Sequence, residues 1–321
     1  MFGTEQGQVT MTRREFAAMV GAGAVAVPLF SEGASISSDS VFSFRNISGF
    51  FDKGSGVRLY CLKHRGQGPM FSAVFVSRNG RLVVFDGGHI DDAATLGKLI
   101  SELGGKVDKW FITHNHDDHF GALWGLMRDH AELLPKIGAL YFSFPPDEWF
   151  EKHERGCLGT SRCFRGQLIR HKVWRHPLKG GDMFDVDGVT VEVLNDYDLS
   201  ETGNACNNSS ICFSVKAGGR SILVTGDIGV KAAERLMRTI PEKLRHDVVF
   251  MSHHGQHGAS KEFYAAVGAK VALWPTPKWL WENDSGTGPG SGRYVTNYVK
   301  CWMQELGVVK HHVLCEDMLF L

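Results

Sequence analysis

The sequence has no net charge: its 35 lysines and arginines balance 35 aspartates and glutamates. A neutral chain has no broad electrostatic attraction to nucleic acid or to an anionic membrane, so a nucleic-acid substrate would require a local basic patch. With 321 residues, 43% of them hydrophobic, the chain can bury a large core. This length fits either one large α/β domain or two small ones, and we favour one domain.

Cysteine is present, but without the spacing of a metal or redox motif. The seven cysteines include no C-x-x-C pair, which argues against a zinc ribbon or a thioredoxin-type site. An odd number cannot all pair internally. An oxidising compartment would permit disulfides, with Cys157 and Cys163 as the first candidate pair, but buried free thiols fit the pattern equally well. We assign no cysteine a catalytic role.

The N-terminal residues have the pattern of a bacterial export signal. Arg13 and Arg14 precede Phe16 and an apolar, alanine-rich stretch at 17–30, an arrangement similar to that of twin-arginine signals. The stretch is shorter than the roughly 20 residues that span a bilayer, and Pro28 interrupts it, so a stable membrane span is disfavoured. We expect the twin-arginine export machinery as a partner and a periplasmic or extracellular location. The predicted division is a twin-arginine-type signal peptide at 1–34, a linker at 35–40 and a folded domain at 41–321.

The spacing of apolar and turn-forming residues predicts strands and helices in alternation. The turn at 78–80 joins two β-rich runs at 72–77 and 81–85, and residues 92–103 have the apolar spacing of a helix. Two strand-rich halves, each flanked by helices, predict an α/β protein with a four-layer αβ/βα sandwich. The other predicted elements are strands at 109–113, 183–186, 190–194, 210–215, 221–225, 247–251 and 271–274, helices at 121–134, 231–239 and 261–267, and an irregular insertion at 144–166.

Four of the six residues at 114–119 are candidate metal ligands. His114 and His116 are two apart at the end of an extended segment, so their side chains can point toward one cation, while Asp118 and His119 reach a neighbouring position. Imidazole and carboxylate groups suit zinc, manganese or iron, and the absence of cysteine argues against a purely structural zinc site. The cluster therefore predicts a site for two adjacent metal ions.

Two later segments place further ligand-type residues after apolar strands. Asp227 follows one such run in a Thr-Gly-Asp sequence, and His253 and His254 follow another. Asp227 could bridge two cations about 3.5 to 4 Å apart, and His253 or His254 could complete the shell of the second ion. Taken alone, Asp227 could also be a turn residue.

In order and spacing, these motifs resemble those of the metallo-β-lactamase superfamily. The matching pieces are His-x-His-x-Asp-His at 114–119, Thr-Gly-Asp at 225–227 and His-His-Gly at 253–255. The resemblance extends over about residues 65–321. It is closer to the branch that contains the extracellular hydrolase domain of bacterial DNA-uptake channel proteins and the pneumococcal phosphorylcholine esterase.

The resemblance implies the metallo-β-lactamase fold and a metal-dependent hydrolase that uses a metal-bound hydroxide. Zinc is the expected metal, as two ions, with manganese or iron as alternatives. Asp118 would be the catalytic residue, because it would hold one ion and help to orient the hydroxide. The implied metal ligands are His114 and His116 for the first ion, Asp118, His119 and one of His253 and His254 for the second, and Asp227 between them.

One position departs from the family pattern. Lactamases and glyoxalases of the family carry a further histidine just before a strand, where this chain has Asn207-Asn208-Ser209-Ser210. The departure leaves one ion short of an imidazole and fits the branch with asparagine and serine at this place better than a true β-lactamase. The second of His253 and His254 could compensate. The histidines of the intervening segment are predicted to be surface or packing residues, namely His130, His153, His171 and His176.

The predicted substrate is a phosphodiester or a related phosphate ester, with nucleic acid entering only as a substrate and a small molecule as the other option. One alternative is a hydrolase of a lactone, a thioester or a β-lactam. Another is an exported metal-binding protein without catalytic activity. Trp274, Trp279 and Trp281 could stack on a base, a sugar or a quaternary amine, or could pack the core and rim. His257 could contact a leaving group or merely occupy its loop.

Overall fold

Two β-sheets pack face to face in the computed structural model, which describes residues 42–321. The first sheet has eight strands and the second has seven. Helices pack on the outer face of each sheet, because both faces of each sheet are apolar and need cover. The predicted four-layer αβ/βα sandwich is confirmed. The predicted signal peptide and linker lie outside the described residues.

We number strands and helices in chain order, leaving out the short 3-10 turns and a small ribbon of Lys106–Val107 with Lys136–Ile137. The strands are β1 Arg45–Ile47, β2 Arg58–Cys61, β3 Ser72–Val76, β4 Leu82–Asp86, β5 Lys109–Phe111, β6 Leu140–Tyr141, β7 Arg175–His176, β8 Met183–Val186, β9 Val189–Val193, β10 Phe213–Ala217, β11 Arg220–Val224, β12 Val248–Phe250, β13 Val271–Trp274, β14 Lys310–Val313 and β15 Met318–Phe320. The helices are α1 Ala93–Glu102, α2 Asp117–Arg128, α3 Asp147–His153, α4 Leu158–Arg170, α5 Ala205–Asn208, α6 Val230–Thr239, α7 Lys261–Val267, α8 Lys278–Trp281 and α9 Thr296–Glu305.

The strand order places parallel strands in both sheets. The first sheet runs β1-β15-β2-β3-β4-β5-β6-β7, in which β4 to β7 are parallel. The second runs from β8 to β14 in sequence order, with β11 to β14 parallel. The carboxyl ends of parallel strands lie at one edge of a sheet, which is where ligands bind in open α/β sheets.

Aromatic side chains hold the two sheets together. The rings of Phe85 and Phe111, on the first sheet, each lie 5.3 Å from the ring of Phe213 on the second. All three side chains are fully buried, and aliphatic side chains from both sheets surround them. Pairs of this kind stabilise the contact beyond their buried area. The central layer therefore fixes the position of one sheet edge relative to the other.

The predicted helix at 121–134 is wrong at both ends, since α2 spans Asp117–Arg128. Acidic side chains in the first turn favour the start of a helix, and Asp117 and Asp118 occupy that turn. Asp118 and His119 therefore lie on a helix, while His114 and His116 lie on the loop before it. The predicted continuation to residue 134 is a separate 3-10 turn.

The insertion predicted to be irregular, 144–166, contains most of two helices, α3 and α4. Ion pairs join them, because Asp147 at the start of α3 accepts hydrogen bonds from Arg162 and Arg165 of α4. This pairing across two helices has no periodic pattern in the sequence. The predicted strand at 210–215 is shifted to β10, because the residues before it form the short helix α5.

No helix among residues 42–321 has the length and hydrophobicity that a membrane crossing requires.

Candidate metal centre

The ends of four strands bring the predicted site residues to one place. Asp86 is the last residue of β4, and the histidine cluster follows β5. Asp227 follows β11 and His254 follows β12 in the second sheet. All four strands take part in parallel pairs, so their carboxyl ends meet across the interface between the sheets.

Four of the seven predicted ligands converge closely. The ligand atoms of Asp118, His119, Asp227 and His254 all lie within 4.8 Å of one another. Nε2 of His254 is 3.1 Å from Oδ2 of Asp118 and 3.3 Å from Oδ2 of Asp227. Nε2 of His119 is 3.3 Å from Oδ1 of Asp227. We call these four residues the carboxylate half of the centre.

The outer nitrogens of both imidazoles in this half are held by oxygen atoms that can only accept. Nδ1 of His119 lies 2.7 Å from Oδ2 of Asp86, and Nδ1 of His254 lies 3.2 Å from the carbonyl oxygen of Pro275. Each Nδ1 therefore donates its proton outward, and each Nε2, which faces the two carboxylates, is the atom that would bind a cation on losing its own proton. Nε2 of His119 is buried and has no hydrogen-bond partner among residues 42–321. This donor set fits a cation.

The electrostatics of the carboxylate half also favour positive charge. Burial alone would lower the pKa of both imidazoles, but Asp227 and its acidic neighbours outweigh burial, raising the pKa of His119 well above its usual value and that of His254 to about 9. Burial opposes ionisation of Asp118 and Asp227, yet the two imidazoles hold the pKa of each carboxyl below its usual range. A buried pair of carboxylates needs such compensation.

The other two members of the cluster, His114 and His116, form what we call the imidazole half. Nε2 of His114 is 3.1 Å from Nδ1 of His116, so their inner nitrogens face each other. Their outer nitrogens contact Oγ1 of Thr113 at 3.1 Å and Oε1 of Glu154 at 3.4 Å, respectively. Burial lowers the pKa of His114 well below its usual value; it also opposes the charge on His116, but the hydrogen bond to Glu154 raises that pKa overall. The ring of His114 is 4.2 Å from that of His119, which joins the two halves.

His253 is not part of either half as the structure places it. The chain turns sharply at His253 and His254, so that their rings diverge, with centroids 6.1 Å apart. His254 enters the carboxylate half, while His253 is outside the group of converging ligand atoms. Burial lowers the pKa of His253.

Strained backbone marks the centre. Asp86, His253 and His254 have φ values of 55°, 50° and 55°, in the left-handed region that non-glycine residues rarely adopt. Gly255 follows with φ 76°, and a Cβ there would lie 2.6 Å from the ring of Trp274. The His-His-Gly sequence therefore requires glycine in its third position, and the turn aims His254 inward.

The segment that replaces the family's further histidine supports the loop of Asp227. Oγ of Ser210 accepts a hydrogen bond from the main-chain NH of Asp227 at 3.0 Å. Oδ1 of Asn208 accepts another from the NH of Gly229 at 2.9 Å. The residues that depart from the family pattern therefore hold the main chain on both sides of Asp227, one of the two carboxylates of the centre.

Asn207 differs from its neighbours in this segment. Its Nδ2 donates to Oδ1 of Asn204 at 3.0 Å, whereas its own Oδ1 is buried without a hydrogen-bond partner within the described chain. Ser209 is satisfied, because its hydroxyl donates to a main-chain carbonyl of the same short helix. An unpaired buried carbonyl is costly, and Asn207 is the side chain of the segment whose oxygen is left for another partner.

Two supporting residues were missed by sequence reasoning. Asp86 holds His119 and accepts hydrogen bonds from both the NH and the hydroxyl of Thr113. It was visible only as the end of a strand before two glycines. Glu154 lies in the insertion and had no signal, because its contact with His116 depends on how α3 and α4 fold.

The three tryptophans pack mainly against other side chains of the protein, which was one of the two roles predicted for them. Trp274 is fully buried, and the ring of Trp281 lies 5.2 Å from it. Trp279 packs 5.4 Å from the ring of Tyr294. His257 is exposed on its loop. The histidines predicted to be surface or packing residues all lie outside the group of converging ligand atoms; they are His130, His153, His171 and His176.

The sequence matches the family model of the metallo-beta-lactamase superfamily over residues 69–274. It is 25% identical over 225 residues to ComE operon protein 3 of Bacillus subtilis (strain 168), covering 65% of this chain and 27% of that protein. It is 28% identical over 207 residues to Competence protein ComA of Neisseria gonorrhoeae, covering 63% and 25%. The chain thus spans about a quarter of the length of these relatives. They support the predicted resemblance to the DNA-uptake branch.

Among solved structures, the fold is similar to that of the metallo-beta-lactamase fold protein YhfI from Bacillus subtilis. The two share 12% sequence identity and align with a TM-score of 0.49, covering 82% of this chain and 98% of that one.

Proposed function

The chain belongs to the metallo-beta-lactamase superfamily and is a metallo-hydrolase; from this premise we propose that it is exported and hydrolyses a phosphodiester or a related phosphate ester. The observation that carries the proposal is the convergence of Asp118, His119, Asp227 and His254 within 4.8 Å. Two carboxylates and two imidazoles with inward-facing Nε2 atoms form a donor set for a hard or borderline divalent cation.

We assign the ligands by their place in the two halves of the centre. His114 and His116 would hold the first ion, Asp118, His119 and His254 the second, and Asp227 would lie between them. His254 is preferred to His253 because it alone of that pair joins the carboxylate half. Zinc suits this set, and manganese or iron is compatible. Bound ions of this kind lower the pKa of a coordinated water and polarise the ester oxygen.

Asp118 and the residues behind the histidines would then have separate roles in the reaction. The Asp118 side chain is 20% exposed, whereas Asp227 is 4% and His254 1% exposed, so Asp118 faces the open side of the centre. From there its carboxylate can orient the attacking water and hold a proton. Asp86 and Glu154 orient His119 and His116 from behind, which fixes the inner nitrogens.

A basic segment that begins beside the centre supports a phosphodiester substrate. Residues 155–181 contain seven lysines and arginines and no aspartate or glutamate, although the chain as a whole is neutral. Arg170, Lys172 and Lys179 are exposed and make no ion pair among residues 42–321, and Trp174 between them is 71% exposed. This is the local basic patch that a nucleic-acid substrate requires.

The basic segment extends from the centre to the opposite edge of the first sheet. It begins beside Glu154, and α4 then runs 13 residues, or about 20 Å, back toward the amino end of β7. Because β7 is parallel to β5 and β6, Arg170, Lys172 and Trp174 lie at its amino end, whereas Lys179 follows it at the edge of the histidine cluster. Only a phosphodiester chain long enough to follow α4 could therefore reach both the centre and Trp174.

A substrate panel with metal analysis tests the proposed reaction. We expect turnover of bis(p-nitrophenyl) phosphate without turnover of nitrocefin, in protein that contains close to two metal ions per chain. Turnover of nitrocefin or of a lactone alone would favour the carbonyl-substrate alternative. Bound metal without turnover of any of these compounds would favour a metal-binding protein.

A charge variant tests the role of the basic patch. Binding of a labelled single-stranded oligonucleotide is measured by fluorescence anisotropy on metal-free protein, so that nothing is cleaved. Removing three contacts should lower the slope of log K against log salt by about 2. No difference between the two variants would remove this support for a nucleic-acid substrate. The test variant carries glutamine at Arg170, Lys172 and Lys179, and the matched control carries glutamine at the exposed residues Lys98, Lys216 and Lys231.

We further propose that Oδ1 of Asn207 completes the shell of the first ion in place of the family's histidine. Its buried, unpartnered oxygen supports this role. An Asn207→His variant should retain zinc in the imidazole half at a higher chelator concentration than the parent protein, because imidazole suits zinc better than a carbonyl. Unchanged zinc retention together with unchanged retention in Asn207→Ala would contradict the role.

Export is proposed from the N-terminal pattern and has its own test. A reporter fused to residues 1–40 should reach the periplasm of a bacterium with a working twin-arginine system. Replacement of Arg13 and Arg14 by lysine should keep it in the cytoplasm, and unaltered transport would contradict the proposal.

A further inference from the structure

Cys157 and Cys206 lie together at the side of the metal centre. Both are buried, and they share a small apolar cluster with Phe150 and Leu158. Their side chains are neighbours in this cluster. Cys157 immediately precedes α4, in the insertion, and Cys206 is in α5, just before Asn207.

Hydrogen bonds connect this pair of thiols to the imidazole half. Glu154 contacts Nε2 of His116 through Oε1 at 3.4 Å and accepts the NH of Cys206 through Oε2 at 2.8 Å. The thiol of Cys157 donates to the carbonyl oxygen of Glu154 at 3.1 Å. Nδ2 of Asn115, between the two histidines of the cluster, lies 3.7 Å from the sulfur of Cys157. The two cysteines therefore border both segments that position the imidazole half.

We propose that Cys157 and Cys206 are a redox site, and that a disulfide between them joins the insertion to α5 and holds Glu154 beside His116. The reduced pair, as seen in the structure, leaves these segments joined by hydrogen bonds and apolar contacts alone. This inference goes beyond the proposed function, because it would hold for a metal-binding protein of any activity.

The step requires an oxidant, and a small-molecule disulfide supplies it. The thiolate of Cys157 attacks one sulfur of that disulfide, which forms a mixed disulfide and releases one small thiolate. The thiol of Cys206 then loses its proton and attacks the sulfur of Cys157, which forms the internal disulfide and releases the second small thiolate. Two protein thiols are oxidised, and one small disulfide is reduced to two small thiols.

The environments of the two thiols set this order. Cys157 borders the start of α4, whereas Cys206 lies inside the short helix α5. Cys157 also retains 7% exposure, while Cys206 has none. The more accessible thiol is the one that reacts with an external disulfide.

The alternative partner suggested by sequence, Cys163, is poorly placed. It lies in α4 on the exposed side, six residues beyond Cys157. Six residues of helix rise about 9 Å, whereas the Cα atoms of a disulfide are usually no more than about 6.8 Å apart. Bridging Cys157 to Cys163 would therefore require unwinding the first turns of α4.

The test starts with the full chain, oxidised with oxidised glutathione and mapped by mass spectrometry of its peptides. We expect one peptide pair linked through Cys157 and Cys206, and a rise in Tm of about 5 °C or more that a reductant reverses. Cys206→Ala should lose both the linked peptide and the reversible rise, while the matched control Cys163→Ala should keep both. A linkage of Cys157 to Cys163, or glutathione retained on Cys157, would overturn the redox site.

A second measurement tests the link to His116. Zinc retention against a chelator is compared between oxidised and reduced protein. We expect the oxidised form to keep the weaker-bound ion at about tenfold higher chelator concentration, as for the loss of a residue that orients a metal-binding histidine. Equal retention in the two forms would overturn the proposed effect on Glu154 while leaving the hydrolase proposal untouched.

Discussion

The two halves of the metal centre are built differently. The carboxylate half has two carboxylates and two imidazoles whose ligand atoms already converge within 4.8 Å. The imidazole half has His114 and His116, whose inner nitrogens are 3.1 Å apart and share a hydrogen bond. One half supplies four ligand atoms, two of them from carboxylates, whereas the other supplies two imidazole nitrogens.

Because of this difference, we expect the two halves to bind metal with unequal strength. Carboxylates contribute charge as well as lone pairs, and the convergence of four ligand atoms lowers the cost of ordering them. The imidazole half lacks both a carboxylate of its own and a third histidine. We therefore expect one ion to be retained firmly and one to be lost first.

The largest effect should come from Asp227, which faces both imidazoles of the carboxylate half. Asp227→Asn keeps the shape but removes the charge, and we expect kcat to fall about 10³-fold and the firmly held ion to be lost. Turnover of bis(p-nitrophenyl) phosphate and metal content by mass spectrometry are the measurements. The control is Asp91→Asn, which changes an exposed carboxylate. Normal metal content in Asp227→Asn would break the comparison, because the carboxylate half would not depend on its charge.

The pH dependence of the free energy of unfolding serves as a control for the pH dependence of activity. His312, on β14, lies beside the rings of Phe50 and Phe320, and burial followed by the charge of Arg45 lowers its pKa to about 4. Between its unfolded pKa of about 6.5 and this value, only the unfolded chain takes up the proton. The free energy of unfolding should therefore fall as pH drops through this range, by about 3 kcal/mol in all.

Denaturant unfolding at pH 7 and pH 4.5 measures this pH dependence. His312→Leu should remove this part of the acid destabilisation, whereas His171→Leu, a change at the end of α4, should retain it. If both variants keep the full pH dependence of the free energy of unfolding, His312 is not its source. This control then cannot separate a loss of activity in acid from unfolding.

The support of His119 should be the next most sensitive point. Asp86→Asn removes the charge that holds Nδ1 of His119, and we expect the firmly held ion to bind about 10- to 100-fold more weakly. Isothermal titration of the metal-free protein with zinc measures it. A change confined to the weaker ion would show that Asp86 does not act through the carboxylate half.

The smallest effect should come from Glu154, the corresponding support in the imidazole half. Glu154→Gln keeps an acceptor for the NH of Cys206 but loses the charge beside His116, so we expect the weaker ion to bind up to about tenfold less tightly. The firmly held ion should be unchanged. Glu148→Gln, at an exposed site on α3, is the control. Equal losses at both ions would mean that the halves are not independent.

The same contrast explains how much of the centre could be predicted from sequence. Elements with a strong local pattern were predicted closely: the helix at 261–267 and the strand at 271–274 coincide with α7 and β13. The hairpin at 72–85 is also confirmed, since β3 and β4 pair antiparallel across it. Where an element depends on local contacts, the spacing of its apolar residues was enough to predict it.

The remaining features depend on contacts between distant residues. Glu154 reaches His116 only because α3 and α4 fold against the first sheet, and the choice of His254 over His253 depends on a left-handed turn. Strands β1 and β2 at the start of the domain, and β14 and β15 at its end, were not predicted. β15 pairs with β1 and β2 from the other end of the chain, and no local pattern predicts such pairing.

The position of β15 has a consequence for the order in which the protein folds. This strand, Met318–Phe320, pairs with β1 on one side and β2 on the other, inside the sheet that carries the histidine cluster. A growing chain that already contains every predicted metal ligand still has an unpaired edge on β2, a template for aggregation. Closure of this sheet must wait for contacts of very high sequence separation, which are slow to form. The segment that carries the motifs, 69–274, is therefore not a folding unit by itself, and its expression alone should give aggregates.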